Sequence, residues 1–310
     1  MLRLPNLPTV IGDPIVGFAF ALAAVRETTF HSDRVDVPVL HGLAAVGAGL
    51  LLYMYGLVSN DLFDLPEDRR ERPGRPLPSG AVAPKSAWIL SLVLLLGGLV
   101  SAWYAGRPED GLVVYTAGGL AFLIYVYNRF AKRIFLIGPL VMGLCRGLNV
   151  MLGALVFGWL GGAMTAVVLV AGFWTAYVAA VTHLAGRETE RRDLGRQRNL
   201  PVFVVTLGLA IFFIGAINAM DRSWDVYGYL LGFCILAVLT VAWISYWTLK
   251  LGGVPEPKTV QRSIGGFIQG LILLQAAMIS LLGPTGLYVA AGLLCLLPVS
   301  ILLARRFYAS

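Results

Sequence analysis

Residues 60–80 read NDLFDLPEDRRERPGRPLPSG and lie between two long apolar runs, at about 38–58 and 86–105. The stretch holds five acids and four arginines and exits through prolines and glycines. Each flanking run is near the roughly 20 residues that a helix needs to cross hydrocarbon, so the charged stretch reads as a loop at a membrane edge. An ionisable cluster kept at that boundary marks a functional site by default. Asp61, Asp64 and Asp68 are spaced by three and four. On an unbroken helix this turns all three carboxylates to one side, within about 60° of one another. Three such groups repel unless a cation sits among them. Oxygen-only ligands suit a hard ion such as Mg²⁺, which takes one or two carboxylates plus substrate phosphates. Pro66 predicts a break after Asp64, in which case the shared face extends only to Asp61 and Asp64.

Working outward, about ten apolar runs are visible, at 8–25, 38–58, 86–105, 111–128, 134–158, 163–184, 200–219, 226–249, 264–282 and 285–304. With 13% charged residues against the roughly 25% usual in soluble domains, the chain is a polytopic membrane protein. Run length selects helices, because strands of a membrane barrel would be about ten residues long. The expected fold is all-α: a transmembrane bundle of nine or ten helices around a central cavity, with residues 1–310 as one domain. Ala21-Leu22-Ala23 has the form of a signal-cleavage site, but the run is long and nine more follow, so a retained first helix is expected. Cys145, Cys234 and Cys295 fall in apolar runs and read as small buried hydrophobes rather than disulfide or zinc ligands.

With ten spans, both termini and the loops after spans 2, 4, 6 and 8 share one side. That side holds nineteen of the 24 lysines and arginines. The positive-inside rule places it, with the loops bearing the site, in the cytoplasm of a cell-membrane protein. Cations spread over membrane loops in this way do not describe a nucleic-acid surface.

Polar residues gather at three further places. The loop HLAGRETERRDLGRQRNLP, residues 183–201, supplies Glu188, Glu190 and Arg192 on the same expected side. Residues 127–133 join spans 4 and 5 and include Tyr127 and Lys132. Arg146 and Asn149 lie three apart on one face of span 5. A charge inside a span costs at least about 2.5 kcal/mol at the bilayer centre, so Arg146 must face a partner or an anionic substrate. Asp13 in span 1 is the candidate partner, and a substrate-binding role is the alternative. The chemistry that fits these groups is ionisation of a diphosphate ester, with cations neutralising the leaving group and apolar walls keeping water away.

Asn60-Asp61-x-x-Asp64-x-x-x-Asp68, followed by Arg75-Pro76-Leu77-Pro78-Ser79-Gly80, resembles the first signature of the UbiA superfamily of intramembrane prenyltransferases. The runs LRLPNLPTVIGDPIVG and GPLVMGLCRGLNVMLG look more narrowly like the UbiA-like EboC proteins of bacterial ebo operons. The resemblance implies two acidic motifs over a central cavity, with Mg²⁺ between the acids and an isoprenyl diphosphate. Carried over by position, Asn60, Asp61, Asp64 and Asp68 are the first metal set, with the three aspartates also catalytic. Glu188 and Glu190 fall at the second motif, where Arg192 replaces an expected aspartate. Arg72 and Arg75 would face the diphosphate, and Tyr127 and Lys132 match a Tyr/Lys element whose gap here is five rather than four. Arg146, Asn149 and Arg192 complete the expected substrate-binding set. The implied partners are an isoprenyl diphosphate donor, a hydrophobic or aromatic acceptor of unknown identity, and membrane lipid. Two other readings keep the fold: a terpene cyclase using the same diphosphate, and a non-catalytic lipid-binding or transport partner of an ebo-type pathway.

Overall fold

A computed structural model describes residues 4–28, 37–106, 111–186, 193–219 and 224–307. After a 3-10 turn at Leu4–Asn6 come α1 (Leu7–Thr28), α2 (Val39–Phe63), the short α3 (Leu65–Glu71), α4 (Pro84–Ala105) and α5 (Leu112–Arg129). A 3-10 turn at Ala131–Arg133 leads into α6 (Ile137–Ala154), α7 (Thr165–Ala185) and α8 (Leu200–Ala219). The chain closes with α9 (Trp224–Lys250), α10 (Pro257–Ser280), α11 (Pro284–Leu294) and α12 (Leu296–Phe307). No strand occurs among the described residues. Among the described residues, nine segments are long and apolar enough to span a bilayer, α11 and α12 together forming the last. The run expected at 111–128 forms α5 but is not one of the nine, since Tyr115, Tyr125, Tyr127, Asn128 and Arg129 lower its hydropathy. The final run breaks at Cys295, because Pro298 has no N–H for the Leu294 carbonyl.

The spans differ widely in burial, and the strongly apolar α8 and α9 lie among the outermost. The windows of α6 and α10 are 72% and 78% buried, whereas those of α8 and α9 are 22% and 17%. Large apolar groups such as Trp103, Tyr115 and Leu249 lie outward, at 70%, 74% and 75% exposure. Without a hydrophobic drive between helices in lipid, close backbone packing must hold such a bundle together. Glycines on α6 supply it. A Cβ at Gly147 would lie 2.8 Å from the Ala171 carbonyl of α7, and one at Gly143 would meet the Thr175 carbonyl. A Cβ at Gly153 would run into the Pro14 carbonyl of α1, and Gly17 of α1 abuts the Val150 carbonyl in return. α6 is therefore clamped between α1 and α7, which fixes where Arg146 and Asn149 can project.

Candidate active site

Pro14 sits inside α1 and has no N–H for the carbonyl four residues earlier, that of Val10. In hydrocarbon such a carbonyl must be satisfied by a neighbouring helix. Asn149 Nδ2 does so at 3.2 Å and also donates to Asp13 Oδ2 at 3.1 Å. Asp13 is fully buried and gathers further donors from three helices. Arg146 Nε lies 2.9 Å from Oδ2, and Trp174 Nε1 and Gln275 Nε2 donate to Oδ1 at 2.9 and 2.8 Å. Arg146 Nη2 and Gln275 Nε2 also donate to the Thr9 carbonyl, at 2.9 and 2.8 Å. Of the two partners open to Arg146, Asp13 is thus in place. Trp174, Gln275 and Thr9 were not singled out from the sequence. The available signal was a pair of glutamines, Gln269 and Gln275, in the otherwise apolar run at 264–282.

Arg146 and Asn149 also line a cavity of about 190 Å³ between α2, α5 and α6. Its walls are mainly apolar, with Leu57, Leu120, Ile124 and Met142 among them, and its polar groups include Asn60, Tyr127 and Asn128. The α2 residues along it run from Gly49 to Asn60, about 16 Å of helix. Arg146 and Asn149 mark the Gly49 end, since a Cβ on Gly49 would meet Asn149 Oδ1. Asn128 Nδ2 ties α5 to α2 through the Gly56 carbonyl at 2.9 Å and Ser59 Oγ at 2.8 Å.

At the Asn60 end the break anticipated at Pro66 is present. α2 stops at Phe63, Asp64 forms the junction, and α3 starts with Pro66 in its first turn. The single face of three aspartates is therefore not formed. Lys132 Nζ donates to Asp64 Oδ1 and, at 3.3 Å, to Asn60 Oδ1. Asp68 is buried, and both its oxygens accept from Arg75 Nη1, at 2.9 and 2.7 Å. Arg75, expected at a diphosphate, is thus committed to Asp68 across the turn that ends α3. Arg72 is exposed at that turn and Asp61 is half-buried. No three carboxylate, histidine or cysteine groups converge among the described residues. Glu188, Glu190 and Arg192 lie outside the described residues. Nearby, Asp193 caps the turn at Gly195, accepting its amide at 2.8 Å.

The donor chemistry nevertheless suits Mg²⁺. Asn60 and Asp64 aim neutral and anionic oxygens at one point, and an ammonium already stands there as a cation in oxygen contact. The family described as UbiA prenyltransferase matches residues 14–264. The chain belongs to this family. It is accordingly a multi-pass membrane prenyltransferase. A UbiA relative from Sulfolobus acidocaldarius, digeranylgeranylglyceryl phosphate synthase, is 27% identical over 219 residues, covering 68% of this chain and 75% of that one. Several other relatives of that name match over about half their length. Among solved structures, the apo form of a UbiA homolog from Aeropyrum pernix K1 aligns with a TM-score of 0.62 at 19% identity, covering 90% of this chain and 98% of that one. A UbiA homolog from Archaeoglobus fulgidus, bound to DMAPP and Mg²⁺, aligns with a TM-score of 0.52 at 14% identity, covering 87% and 96%. These two likenesses concern the fold.

Proposed function

We propose that this protein moves an isoprenyl group from a prenyl diphosphate to a small acceptor in an Mg²⁺-dependent reaction within the membrane. The observation that carries the reading is the convergence of Asn60, Asp64 and Lys132 at the end of a largely apolar cavity that Tyr127 also lines. The Archaeoglobus homolog bound to DMAPP and Mg²⁺ supports the donor class and the metal. When bound, Mg²⁺ supplies neutralisation of the charge that builds on the leaving diphosphate.

The residues divide the work. Asn60 and Asp64 hold the metal, with Asp61 as a further oxygen ligand and Glu188 and Glu190 as ligands from the second loop. Lys132, Arg72 and Arg192 stabilise the diphosphate as the bond from C1 to oxygen breaks and its electron pair leaves with the phosphate. Asp68 positions Arg75 and the turn between α3 and α4. Tyr127 presents an aromatic ring to the allylic cation, an attraction of the cation–π kind. Leu57, Leu120, Ile124 and Met142 keep water from that cation, so that the acceptor's nucleophilic atom captures C1 and gives up its proton. Arg146 and Asn149, at the far end of the cavity, contact the part of the substrate that reaches deepest. Asp13 neutralises Arg146, so an uncharged oxygen suits that end better than a second anion. The excess of lysine and arginine in the loops that bear the site supports a cytoplasmic orientation for it.

The test is donor binding in lipid nanodiscs, with pyrophosphate release followed in the same sample. The name of the Sulfolobus relative makes geranylgeranyl diphosphate the first donor to use. Binding that needs Mg²⁺ and is lost in Asp64→Ala supports the reading, and release without an acceptor redirects it to cyclisation. No metal-dependent binding with short or long donors defeats it.

A further inference from the structure

Asp64 and Asn60 already hold a cation that belongs to the chain. Lys132 leaves the 3-10 turn between α5 and α6 and places its ammonium on Asp64 Oδ1 and Asn60 Oδ1. We propose that Lys132 couples metal to diphosphate: it occupies these oxygens until a diphosphate offers its ammonium another anion, so Mg²⁺ and diphosphate bind together and Mg²⁺ alone binds poorly. The inference rests on the donor-site assignment made under Proposed function.

The physical argument is one of competition between cations. A metal ion and the ammonium cannot both take the same two oxygens, and at contact distance they repel. The Lys132 and Asp64 side chains are only 17% and 20% exposed, so an ammonium displaced by metal alone loses its partner where water is scarce. Nor can the backbone carry Lys132 away. The Ile134 amide bonds the Ala131 carbonyl at 2.9 Å, and Gly138 of α6 packs on that same carbonyl, where a Cβ would sit 2.8 Å from it. The ammonium moves only as far as its own four-carbon stem swings, which keeps it within the donor site. Neighbouring cations are engaged elsewhere: Arg133 Nη2 lies 3.1 Å from Glu67, and the Arg129 guanidinium lies over the Phe130 ring. A diphosphate brings several oxygens at once, so it satisfies the metal and Lys132 together. By linkage, whatever the diphosphate does for metal affinity, the metal does equally for diphosphate affinity.

Mn²⁺ binding, followed by electron paramagnetic resonance on the full chain in nanodiscs, tests this without turnover. Wild-type protein is titrated with Mn²⁺ alone and with inorganic pyrophosphate present, allowing for the Mn²⁺ that pyrophosphate itself binds. The expected gain from pyrophosphate is about tenfold or more, within the usual range of coupling between sites. In Lys132→Met, Mn²⁺ alone should bind about tenfold more tightly than in wild type, and most of the gain should vanish. Arg133→Met removes an equal charge one residue away and should leave Mn²⁺ affinity nearly unchanged. Equal tightening in both variants means general charge rather than competition, and overturns the proposal. Wild-type binding of Mn²⁺ that is indifferent to pyrophosphate also overturns it, while leaving the donor site standing. Should Lys132→Met fail to insert, Lys132→Gln, which also removes the charge, takes its place in the same comparison. No Mn²⁺ bound under any condition, a geranylgeranyl thiolodiphosphate included, removes both the coupling and the metal site.

Discussion

Arg146 Nε lies 2.9 Å from Asp13 Oδ2, joining α6 to α1 through a pair in which the aspartate is wholly buried and the arginine side chain is 10% exposed. Removing one member leaves the other charged and unpaired inside the bundle. Asp13→Leu should therefore destabilise the protein by about 3 kcal/mol or more, the usual cost of breaking a buried pair. Asp13→Leu combined with Arg146→Leu should recover part of that loss. Thermal unfolding of the three variants in one detergent checks this, and a double variant as weak as the sum of its parts contradicts it.

The Asn149 bond to the Val10 carbonyl exists because Pro14 withholds a donor. Asn149→Ala should cost about 1 kcal/mol, typical of a side-chain hydrogen bond between membrane helices. In a Pro14→Ala background the helix closes its own bond, so the same substitution should cost measurably less. A double-mutant cycle on unfolding free energies reads the difference. Strict additivity would show that Asn149 acts elsewhere.

Asp64 and Asp68 are close in sequence and differ in employment. Asp64→Asn should lower activity by about 100-fold or more, the scale on which loss of electrostatic stabilisation is felt, and should abolish metal-dependent donor binding. Asp68→Asn should leave that binding present but weaker, because it loosens Arg75 and the turn rather than the metal. Unfolding should respond in the opposite order, with Asp68→Asn the more destabilised. Loss of metal-dependent binding in both variants alike would return Asp68 to the ligand set.

Gly147 lies against the Ala171 carbonyl, the hypothetical Cβ contact being 2.8 Å. Gly147→Val must push α6 from α7 and should cost about 1–3 kcal/mol through overpacking. Gly172, with nothing near its hypothetical Cβ, should tolerate the same change. Comparing the melting temperatures of Gly147→Val and Gly172→Val in detergent tests whether close backbone packing holds these helices.

Run length and polarity were enough to establish a helical membrane bundle, because hydrocarbon leaves the backbone no other economical way to satisfy its hydrogen bonds. The 60–80 motif and Arg146 were visible for the same reason: a charge at or inside a bilayer is too costly to be incidental. Pro66 marked the break that separates Asp64 from Asp68, since a residue without an N–H leaves a local signature. Tertiary structure decided the partners. Nothing in the order of residues sets Lys132 on Asp64, 68 positions away, or Gln275 on Asp13, 262 away. Those meetings depend on where glycines let α6 approach α1 and α7, and on the packing of α10 against α1 and α7. Side-chain pairing across helices is fixed by three-dimensional packing, to which local periodicity is blind.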